Sequence, residues 1–359
     1  MASDKDYMEG ALELAKKGLG KTSPNPAVGS ILVKNGKVIG RGFHEKAGEA
    51  HAEVNALAEA GDEAKGATMY VTLEPCDHRG KTPACTNAII EAGVSRVVVG
   101  AQDPNSLVSG KGLAHLARAG IQIESGILEK QAKMMNEAYE KFITTKEPFV
   151  IVKAALSADG KMTASDGSSK WITGEDAKQA VQELRGQVDA IMVGIETVIK
   201  DNPSLTCRIQ ECKNPKRIIV DSRLRIKVSA KVLNNEARTI IATTKNAPMD
   251  KIDILRKLGV KVVVVEGEGG VDLKRLLKEL VSEGITSIMI EGGGRLIGSA
   301  FDARIVDKVM LFIAPKIIGG KGVTISGEGA QSISDAIPLE RVEMKKVGAD
   351  FLLLGYPSK

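Results

Sequence analysis

The apolar positions in the first part of the chain change period several times. Residues 5–18 carry apolar side chains at helical spacing, and the prolines of Thr22-Ser-Pro-Asn-Pro26 end that predicted helix. Short apolar runs on either side of Asn35-Gly36 predict a β-hairpin, because this pair suits a tight turn. Beyond the hairpin, strand and helix patterns alternate, which predicts a sheet covered by helices. The predicted strands are 68–73, 96–100 and 121–124, and the predicted helices are 51–60, 84–92, 112–119 and 128–146.

A second alternating pattern begins directly after Pro148, which ends the charged helix before it. We therefore predict a domain boundary near residue 146, with domains at 1–146 and 147–359, each long enough to build its own core. Both domains have the α/β pattern. The predicted strands of the second are 149–155, 190–194, 217–220, 239–243, 260–265, 287–291, 309–313 and 351–356, and its predicted helices are 175–185, 249–258, 272–283 and 296–303. Residues 194–208 are predicted to leave a strand and enter a polar loop.

Composition narrows the classes of partner. Fifty Lys and Arg against 45 Asp and Glu give a net charge of +5 spread along the chain, and aromatic residues make up only 3%. Nucleic-acid binders concentrate positive charge and use aromatic stacking platforms, so we expect small anionic molecules as partners and no nucleic acid. No apolar run approaches the ~18 residues of a membrane span, and the first residues lack the apolar core of a signal peptide. We therefore expect no membrane partner and a cytoplasmic location.

The expected location also predicts the chemical state of the four cysteines. Thiols stay reduced in the cytoplasm, so we expect Cys76, Cys85, Cys207 and Cys212 to serve metal or redox chemistry before disulfides. Three of the eight Cys and His residues of the chain fall between Cys76 and Cys85. This cluster is the first pointer to a specific chemistry.

A zinc site is the chemistry that these residues favour. His51 opens a predicted helix, and Cys76 and Cys85 precede the next one. One imidazole and two thiolates leave the fourth position of a tetrahedral Zn²⁺ for water, which is the catalytic arrangement. Glu53 would not bind the metal but would act as general acid and base, moving a proton from the attacking water to the leaving amine. Two alternatives stay open: half-buried thiols without a metal, and His78 as a ligand in place of one cysteine.

The motifs around this cluster resemble a known family. Glu74-Pro-Cys76 and the segment up to Cys85, with Pro24-Asn-Pro-Ala-Val-Gly29 upstream and Gln102-Asp-Pro-Asn105 downstream, are similar to the cytidine and nucleotide deaminase superfamily. Eight residues separate the cysteines where most members have two, and this resembles the pyrimidine deaminase half of the bifunctional riboflavin biosynthesis family. The resemblance implies a cytidine-deaminase-like α/β/α fold. It also implies contacts to the base or the phosphate from Asn25, His78 and Lys81, for which the alternative is an ordinary solvated loop.

A glycine-rich segment stands out in the second half. The predicted strand 287–291 runs into Gly292-Gly-Gly-Arg-Leu-Ile-Gly-Ser299. Glycines after a strand allow close approach to a phosphate, and a helix N-terminus favours an anion. The spacing differs from the dinucleotide fingerprint, and taken alone it favours a mere tight turn.

Together with other motifs the second half resembles the reductase domain of the same family, which is related in fold to dihydrofolate reductase. The matching motifs include Trp171-Ile-Thr173, Thr197-Val-Ile-Lys-Asp201 and Ala314-Pro-Lys-Ile-Ile-Gly-Gly320. The resemblance implies that NADPH is held by Ala155, Trp171, Thr197, Asp201, Gly293, Gly294, Arg295, Leu296, Ile297, Gly298 and Ser299. It implies that the substrate is held by Ser169, Arg185, Leu205, Arg208 and Glu291. Lys153 and Asp201 are the polar residues expected nearest the reacting carbon, and a helix-end role is the alternative for Arg185.

Both resemblances together imply a bifunctional enzyme. The first half would deaminate 2,5-diamino-6-(5-phosphoribosylamino)pyrimidin-4(3H)-one with zinc, and the second would reduce the ribosyl group of the product to ribityl with NADPH. Two other classes remain as alternatives: a nucleic-acid base deaminase with an appended interaction domain, and a zinc-stabilised regulator without turnover. The oligomeric state stays open, a homo-oligomer included.

Overall fold

The computed structural model describes residues 2–77, 84–106, 108–169 and 171–358. The chain forms two compact units, of which the first ends at Lys146 and the second begins at Glu147. We call them unit 1 and unit 2 and describe each by itself. Of the helices within the described ranges, none is long and apolar enough to cross a membrane.

Unit 1 is a mixed sheet with helices packed on it. Its strands are β1 (Gly29–Lys34), β2 (Lys37–Phe43), β3 (Thr68–Leu73), β4 (Arg96–Ala101) and β5 (Gln122–Ser125), and its helices are α1 (Asp4–Lys16), α2 (Ala52–Ala60), α3 (Cys85–Glu91), α4 (Lys111–Arg118), α5 (Glu129–Met135) and α6 (Glu137–Thr145). The strand order is β2-β1-β3-β4-β5, with β1 antiparallel to both neighbours and β3, β4 and β5 parallel. Buried residues of β3 and β4 pack against α2 and α3. The ends of β3, α2 and α3 therefore lie close together.

The local sequence explains most of these elements. Asn35 and Gly36 both have positive φ, at 51° and 74°, as the predicted hairpin turn requires. The helix predicted over 128–146 is instead two helices, because Asn136 leaves the helical conformation between them. The Asn136 side chain accepts a hydrogen bond from the N–H of Ala27 and donates one to its carbonyl, at 2.8 and 2.9 Å. A tertiary contact thus divides the helix, which its sequence pattern does not reveal.

Unit 2 is built on a long sheet. Its strands are β6 (Phe149–Ser157), β7 (Ala190–Gly194), β8 (Lys216–Val220), β9 (Thr239–Thr243), β10 (Lys261–Val264), β11 (Glu266–Gly267), β12 (Gly270–Val271), β13 (Ser287–Glu291), β14 (Lys308–Ala314), β15 (Leu339–Val347) and β16 (Asp350–Pro357). Its helices are α7 (Glu175–Gln187), α8 (Ile195–Asp201), α9 (Met249–Lys257), α10 (Leu273–Ser282) and α11 (Gly294–Asp302).

The strand order of unit 2 is β10-β9-β8-β7-β13-β6-β14-β16-β15. The first seven strands in this order, from β10 through β14, are parallel to one another. Strand β16 pairs antiparallel with β14, and β15 pairs antiparallel with β16. Strand β6 lies between two strands that come far later in the chain, β13 and β14. Ligands of such sheets bind outside the carboxyl ends of the parallel strands, so this edge is where the site of unit 2 is expected.

Three features of unit 2 differ from the sequence prediction: helix α8, strand β15 and the short hairpin of β11 and β12. Residues Ile195–Asp201 form α8 where a polar loop was expected. Strand β15 was missed because most of its side chains are exposed, so it lacks the buried alternation that marks a strand. The hairpin of β11 and β12 was also missed, because its strands are too short to leave a pattern in the sequence. The strands and helices that were predicted for this unit are confirmed within a few residues.

Candidate active sites

Three potential metal ligands meet in unit 1. His51 is the residue before α2, Cys76 follows β3, and Cys85 is the first residue of α3. The Nδ1 atom of His51 lies 3.2 Å from Sγ of Cys85 and 3.6 Å from Sγ of Cys76, and the two sulfurs are 3.5 Å apart. With Zn–S bonds of about 2.3 Å and tetrahedral angles, two ligating sulfurs are ~3.8 Å apart. The donor set therefore fits Zn²⁺ in both chemistry and spacing.

The two thiols differ in how readily they lose their protons. The hydrogen bond from Cys85, outweighing burial, lowers the pKa of Cys76 to about 4, and His51 contributes to the same shift. The same hydrogen bond, together with burial, raises the pKa of Cys85. Its contact with Cys76 raises the pKa of His51 as well. Zn²⁺ would displace the proton that Cys85 retains, because a cysteine ligand binds the metal as a thiolate.

Glu53 lies beside these donors on the first turn of α2. Glu53 is only 3% exposed. Burial, followed by the negative charge of Cys76, raises the pKa of Glu53 to about 7. A carboxyl group with a pKa near neutrality can both accept and donate a proton at physiological pH, which suits a general acid and base.

A second histidine, which the sequence reasoning missed, extends this site. Nε2 of His44 lies 3.1 Å from the side-chain nitrogen of Asn25, and its Nδ1 lies 3.0 Å from the carbonyl of Ala50. Its ring packs edge to face against that of His51, with 5.1 Å between centroids. Burial lowers the pKa of His44, which favours the neutral imidazole. Asn25 is therefore connected to the metal donors, and the one available signal was that His44 is among only four histidines of the chain.

Side chains from other elements fix the backbone around Cys76. Asp77 accepts a hydrogen bond from Thr86 at 2.7 Å and pairs with Nδ1 of His115 at 2.5 Å. The buried Glu74 carboxylate accepts hydrogen bonds from the N–H groups of Asp103, Gly110, Gly112 and Leu113. His78 and Lys81, for which roles were also predicted, lie outside the described residues.

Unit 2 has a cavity of about 740 Å³ at the carboxyl edge of its sheet. We call it the larger cavity. Among its lining residues are five of the predicted cofactor contacts: Thr197, Gly293, Arg295, Leu296 and Ser299. Gly293 precedes α11 with a φ of 80°, a conformation that suits glycine. Ser222, Arg223 and Arg225 also line the cavity. The sequence reasoning missed these residues after β8, because nothing in their local pattern marks them.

Three residues of the predicted cofactor segment do not line that cavity. Ile297 is fully buried in the core of the unit. Gly294 and Gly298 face residues 324–327, where a Cβ on either glycine would collide with a backbone carbonyl oxygen. These two glycines therefore serve a close approach of two chain segments, and cofactor contacts from the run 293–299 stay a prediction.

A second cavity, of about 500 Å³, lies beside the central strands. We call it the smaller cavity. Its lining includes four of the predicted substrate residues, Lys153, Arg185, Arg208 and Glu291, and also Ala155, which was predicted to contact the cofactor. Within the described residues, Asp201 and Trp171 line neither of the two cavities. Asp201 is exposed at the end of α8, and the Trp171 residue is 68% exposed.

Glu291 lines the smaller cavity and binds two other residues of that lining. Strands β6 and β13 pair Lys153 with Glu291, and their side chains form a salt bridge of 3.0 Å. Arg185 donates two hydrogen bonds to the other carboxylate oxygen, at 2.9 and 3.1 Å. Burial raises the pKa of Glu291, but the charges of Lys153 and Arg185 outweigh it and lower the pKa to about 2. The carboxylate is therefore charged at neutral pH and holds both cations in place.

Two further predicted substrate residues, Leu205 and Ser169, are not among the residues that line this cavity. Leu205 is 3% exposed and has a φ of 53°. Ser169 is partly exposed in the loop before α7. The backbone N–H of Arg208 donates a hydrogen bond of 2.9 Å to the side chain of Gln182. Next to Arg208, Cys207 and Cys212 form a disulfide. The expectation of metal or redox chemistry before disulfides is therefore wrong for this pair, because a short loop brings the two residues to 6.1 Å between Cα atoms.

The fold and the site of unit 1 define a class. A His, Cys, Cys donor set beside a buried glutamate is the arrangement of zinc-dependent base deaminases. A family model for the cytidine and deoxycytidylate deaminase zinc-binding region matches residues 1–101, and a model for the RibD C-terminal domain matches residues 148–353.

Comparison over the full length identifies the family. The riboflavin biosynthesis protein RibD of Aquifex aeolicus is 46% identical over 98% of this chain and 97% of its own length. That of Escherichia coli is 38% identical over 98% of each chain. The solved structure of Acinetobacter baumannii RibD has a TM-score of 0.87 at 36% identity and covers 99% of both chains. A Thermotoga maritima structure, described as a diaminohydroxyphosphoribosylaminopyrimidine deaminase/5-amino-6-(5-phosphoribosylamino)uracil reductase, has a TM-score of 0.86 at 36% identity over 99% of both chains.

The chain belongs to the RibD family of riboflavin biosynthesis proteins. It is a bifunctional enzyme, a zinc-dependent deaminase and an NADPH-dependent reductase that acts on small pyrimidine molecules. The predicted combination of a deaminase-like and a reductase fold is confirmed. A nucleic-acid base deaminase with an appended domain is not favoured, because both halves match one family over nearly the full length.

Proposed function

We propose that the deamination takes place in unit 1 and the reduction in unit 2, with the domains at 1–146 and 147–359. The first substrate is 2,5-diamino-6-(5-phosphoribosylamino)pyrimidin-4(3H)-one, and the final product is 5-amino-6-(5-phosphoribitylamino)uracil. The name of the Thermotoga maritima relative supports these substrates. The observation that carries the proposal is the set of three donors next to a buried carboxyl group in unit 1.

In unit 1, His51, Cys76 and Cys85 would hold Zn²⁺. The bound ion would supply a Lewis acid that activates water at neutral pH. Glu53 takes the proton of the attacking water and gives it to the leaving amine, so that the amino group departs as ammonia. Its burial supports this role, since the carboxyl group can change its protonation state near pH 7. Asn25 binds the base and is oriented by His44.

In unit 2, the larger cavity binds NADPH and the smaller cavity binds the phosphoribosyl group. NADPH, when bound, would supply a hydride to C1 of the ring-opened sugar, the carbon that is then doubly bonded to the amino nitrogen of the pyrimidine. Lys153 donates a proton to that nitrogen, which balances the reduction of the C=N bond to the CH2–NH group of the ribitylamino product. Glu291 positions Lys153 and Arg185 through its two oxygens. Asp201 lines neither described cavity, so Lys153 is the proposed proton donor.

The test uses the intact chain with one site disabled at a time. We expect the wild-type protein to release ammonia from the diaminopyrimidine and then to oxidise NADPH. The Glu53→Gln variant is expected to release ammonia about 10² to 10⁴ times more slowly but to oxidise NADPH normally when supplied with the deaminated substrate. The Lys153→Met variant is expected to release ammonia normally but not to oxidise NADPH. If either variant lost both reactions while remaining folded, the assignment of one reaction to each unit would be wrong.

A further inference from the structure

A disulfide closes a short loop beside the smaller cavity. Cys207 and Cys212 are bonded to each other, and Arg208, which lines the cavity, lies within the loop that they close. Both cysteines are partly exposed, and three residues of the loop, Arg208, Gln210 and Glu211, are exposed. A small thiol in solution can therefore reach the two sulfur atoms.

Helix α7 packs against both sulfur atoms of this loop. A Cβ on Gly186 would lie 2.6 Å from Sγ of Cys212 and 3.8 Å from Sγ of Cys207, so the missing side chain leaves the room that the bonded sulfur pair fills. The same helix binds Arg208, because the side chain of Gln182 accepts a hydrogen bond of 2.9 Å from its backbone N–H. Gln182 and Gly186 are four residues apart on α7, so the disulfide and Arg208 are held on one face of the helix.

The disulfide holds this loop in a conformation that it would otherwise leave. Glu211 has a φ of 60°, a left-handed conformation that costs free energy for a residue with a side chain unless its surroundings hold it. Once the S–S bond is broken, the two sulfur atoms must separate to van der Waals distance, and they then need more room than Gly186 leaves. We therefore expect the opened loop to move away from α7 and to lose the hydrogen bond between Arg208 and Gln182.

We propose that Cys207 and Cys212 form a reversible thiol–disulfide site, through which a low-molecular-weight thiol such as glutathione regulates substrate binding in unit 2. In the disulfide state the closed loop holds Arg208 at the smaller cavity, and in the dithiol state the loop leaves α7 and takes Arg208 with it. The redox chemistry belongs to the disulfide, not to the free thiols that the sequence predicts. The inference rests on the proposed function, since it takes the smaller cavity as a substrate site.

The chemistry is thiol–disulfide exchange. The thiolate of one glutathione attacks a sulfur of the protein, the S–S bond breaks, and the other cysteine leaves as a thiolate that takes up a proton. A second glutathione thiolate attacks the glutathione sulfur of this mixed disulfide and releases glutathione disulfide and the remaining cysteine, which is also protonated. Two glutathione molecules thus give two electrons and two protons to the protein, and they are oxidised while its disulfide is reduced.

The test follows the intact, zinc-loaded protein in mixtures of glutathione and glutathione disulfide. Mass spectrometry after alkylation gives the state of each cysteine, and NADPH oxidation with the deaminated substrate gives KM and kcat. We expect KM to rise as Cys207 and Cys212 become reduced, about tenfold if the open loop places Arg208 at the cavity a tenth of the time, with little change in kcat. Ammonia release by unit 1 is the control and is expected to be the same in every mixture.

A variant that cannot form the disulfide separates regulation from mere stabilisation. The double variant Cys207→Ser/Cys212→Ser is expected to show the high KM of the reduced protein in every mixture. Arg208→Met is expected to raise the KM of the oxidised wild type but to add little in the double variant, because Arg208 has already left the cavity there. A disulfide that only stabilises the fold would change the melting temperature and leave KM equal in both redox states, and this result would overturn the proposal. So would a disulfide that survives the most reducing mixture.

Failure of the inference is distinguishable from failure of the proposed function. If Arg208→Met raises KM while the redox state of Cys207 and Cys212 does not change it, the smaller cavity remains the substrate site and the regulatory role is wrong. If Arg208→Met leaves KM at the wild-type value while the protein still oxidises NADPH with its substrate, the substrate binds elsewhere, and both proposals are wrong.

Discussion

The candidate sites of the two units are assembled in different ways. In unit 1, three short segments each contribute one side chain to the site, and the donor atoms of these side chains all lie within 4.8 Å of one another. In unit 2, the predicted contacts are divided between two cavities along a sheet edge, and some of them line neither. A metal ion requires its ligands at bonding distance from one point, whereas a dinucleotide and a sugar phosphate extend over many ångströms. The geometry of the site in unit 1 therefore depends on a few residues, whereas that of the site in unit 2 depends on the whole sheet.

This comparison predicts all-or-none effects in unit 1. Cys85→Ser is expected to lose both zinc and deamination, because one thiolate of a three-residue donor set is removed. Zinc content is measured by elemental analysis, with about one ion per chain expected in the wild type. Cys207→Ser is the matched control and should keep its zinc, since that cysteine lies in unit 2. Full zinc content in Cys85→Ser would show that another residue completes the site.

Glu53→Gln tests the proton transfer apart from the metal. The amide keeps the shape of the side chain but cannot carry a proton, so the deamination rate should fall by about 10² to 10⁴ while zinc remains bound. Glu59→Gln, on the exposed face of the same helix, is the control and should keep normal activity. Ammonia release at the wild-type rate by Glu53→Gln would exclude the proposed role.

In unit 2 we expect a graded effect on stability from Glu291→Gln. It leaves the buried Lys153 and Arg185 without their carboxylate, which should cost about 3 to 5 kcal/mol of unfolding free energy. Because the folded pKa of Glu291 is lowered from 4.5 to about 2, its contribution is present above pH 4.5 and is lost as the pH falls toward 2. Denaturant unfolding followed by Trp171, the only tryptophan, reports on unit 2. The variant should lack this part of the acid dependence, and an unchanged pH slope would contradict the assignment.

The smallest expected effect is on cofactor affinity. Gly293→Val places a side chain at a φ of 80°, near the Thr197 hydroxyl and at the larger cavity, so the Kd for NADPH should rise at least about tenfold, or ~1.4 kcal/mol. Gly284→Val is the matched control, because its φ of 68° causes similar strain where a Cβ meets nothing within 4 Å. Equal losses in both variants would indicate backbone strain rather than a cofactor contact.

For a physical reason, the sequence pointed to the three residues that the structure brings together in unit 1. Each donor stands at the end of a strand or the start of a helix, so its placement depends on elements with clear local patterns. His44 was missed because its contacts to Asn25 and Ala50 come from loop geometry, which no periodicity encodes.

The site of unit 2 was less accessible because its contacts are distant in the chain. Lys153 and Glu291 are 138 residues apart and meet only through strand pairing. Gly294 and Gly298 looked like part of a phosphate loop, but they face a segment some 30 residues later, which a local motif cannot show. The division of helix 128–146 at Asn136 has the same cause, since its partner Ala27 lies 109 residues away.

The order of strands in unit 2 has a consequence for synthesis on the ribosome. Strand β6 is made first, yet its neighbours β13 and β14 begin only at Ser287 and Lys308. At 5 to 20 residues per second, the apolar β6 waits on the order of ten seconds for its first partner. The strands of unit 1 are all complete at Ser125, before β6 emerges. The nascent chain thus contains every strand of unit 1 while β6 of unit 2 is still unpaired, and β6 is the strand that chaperones would have most reason to protect.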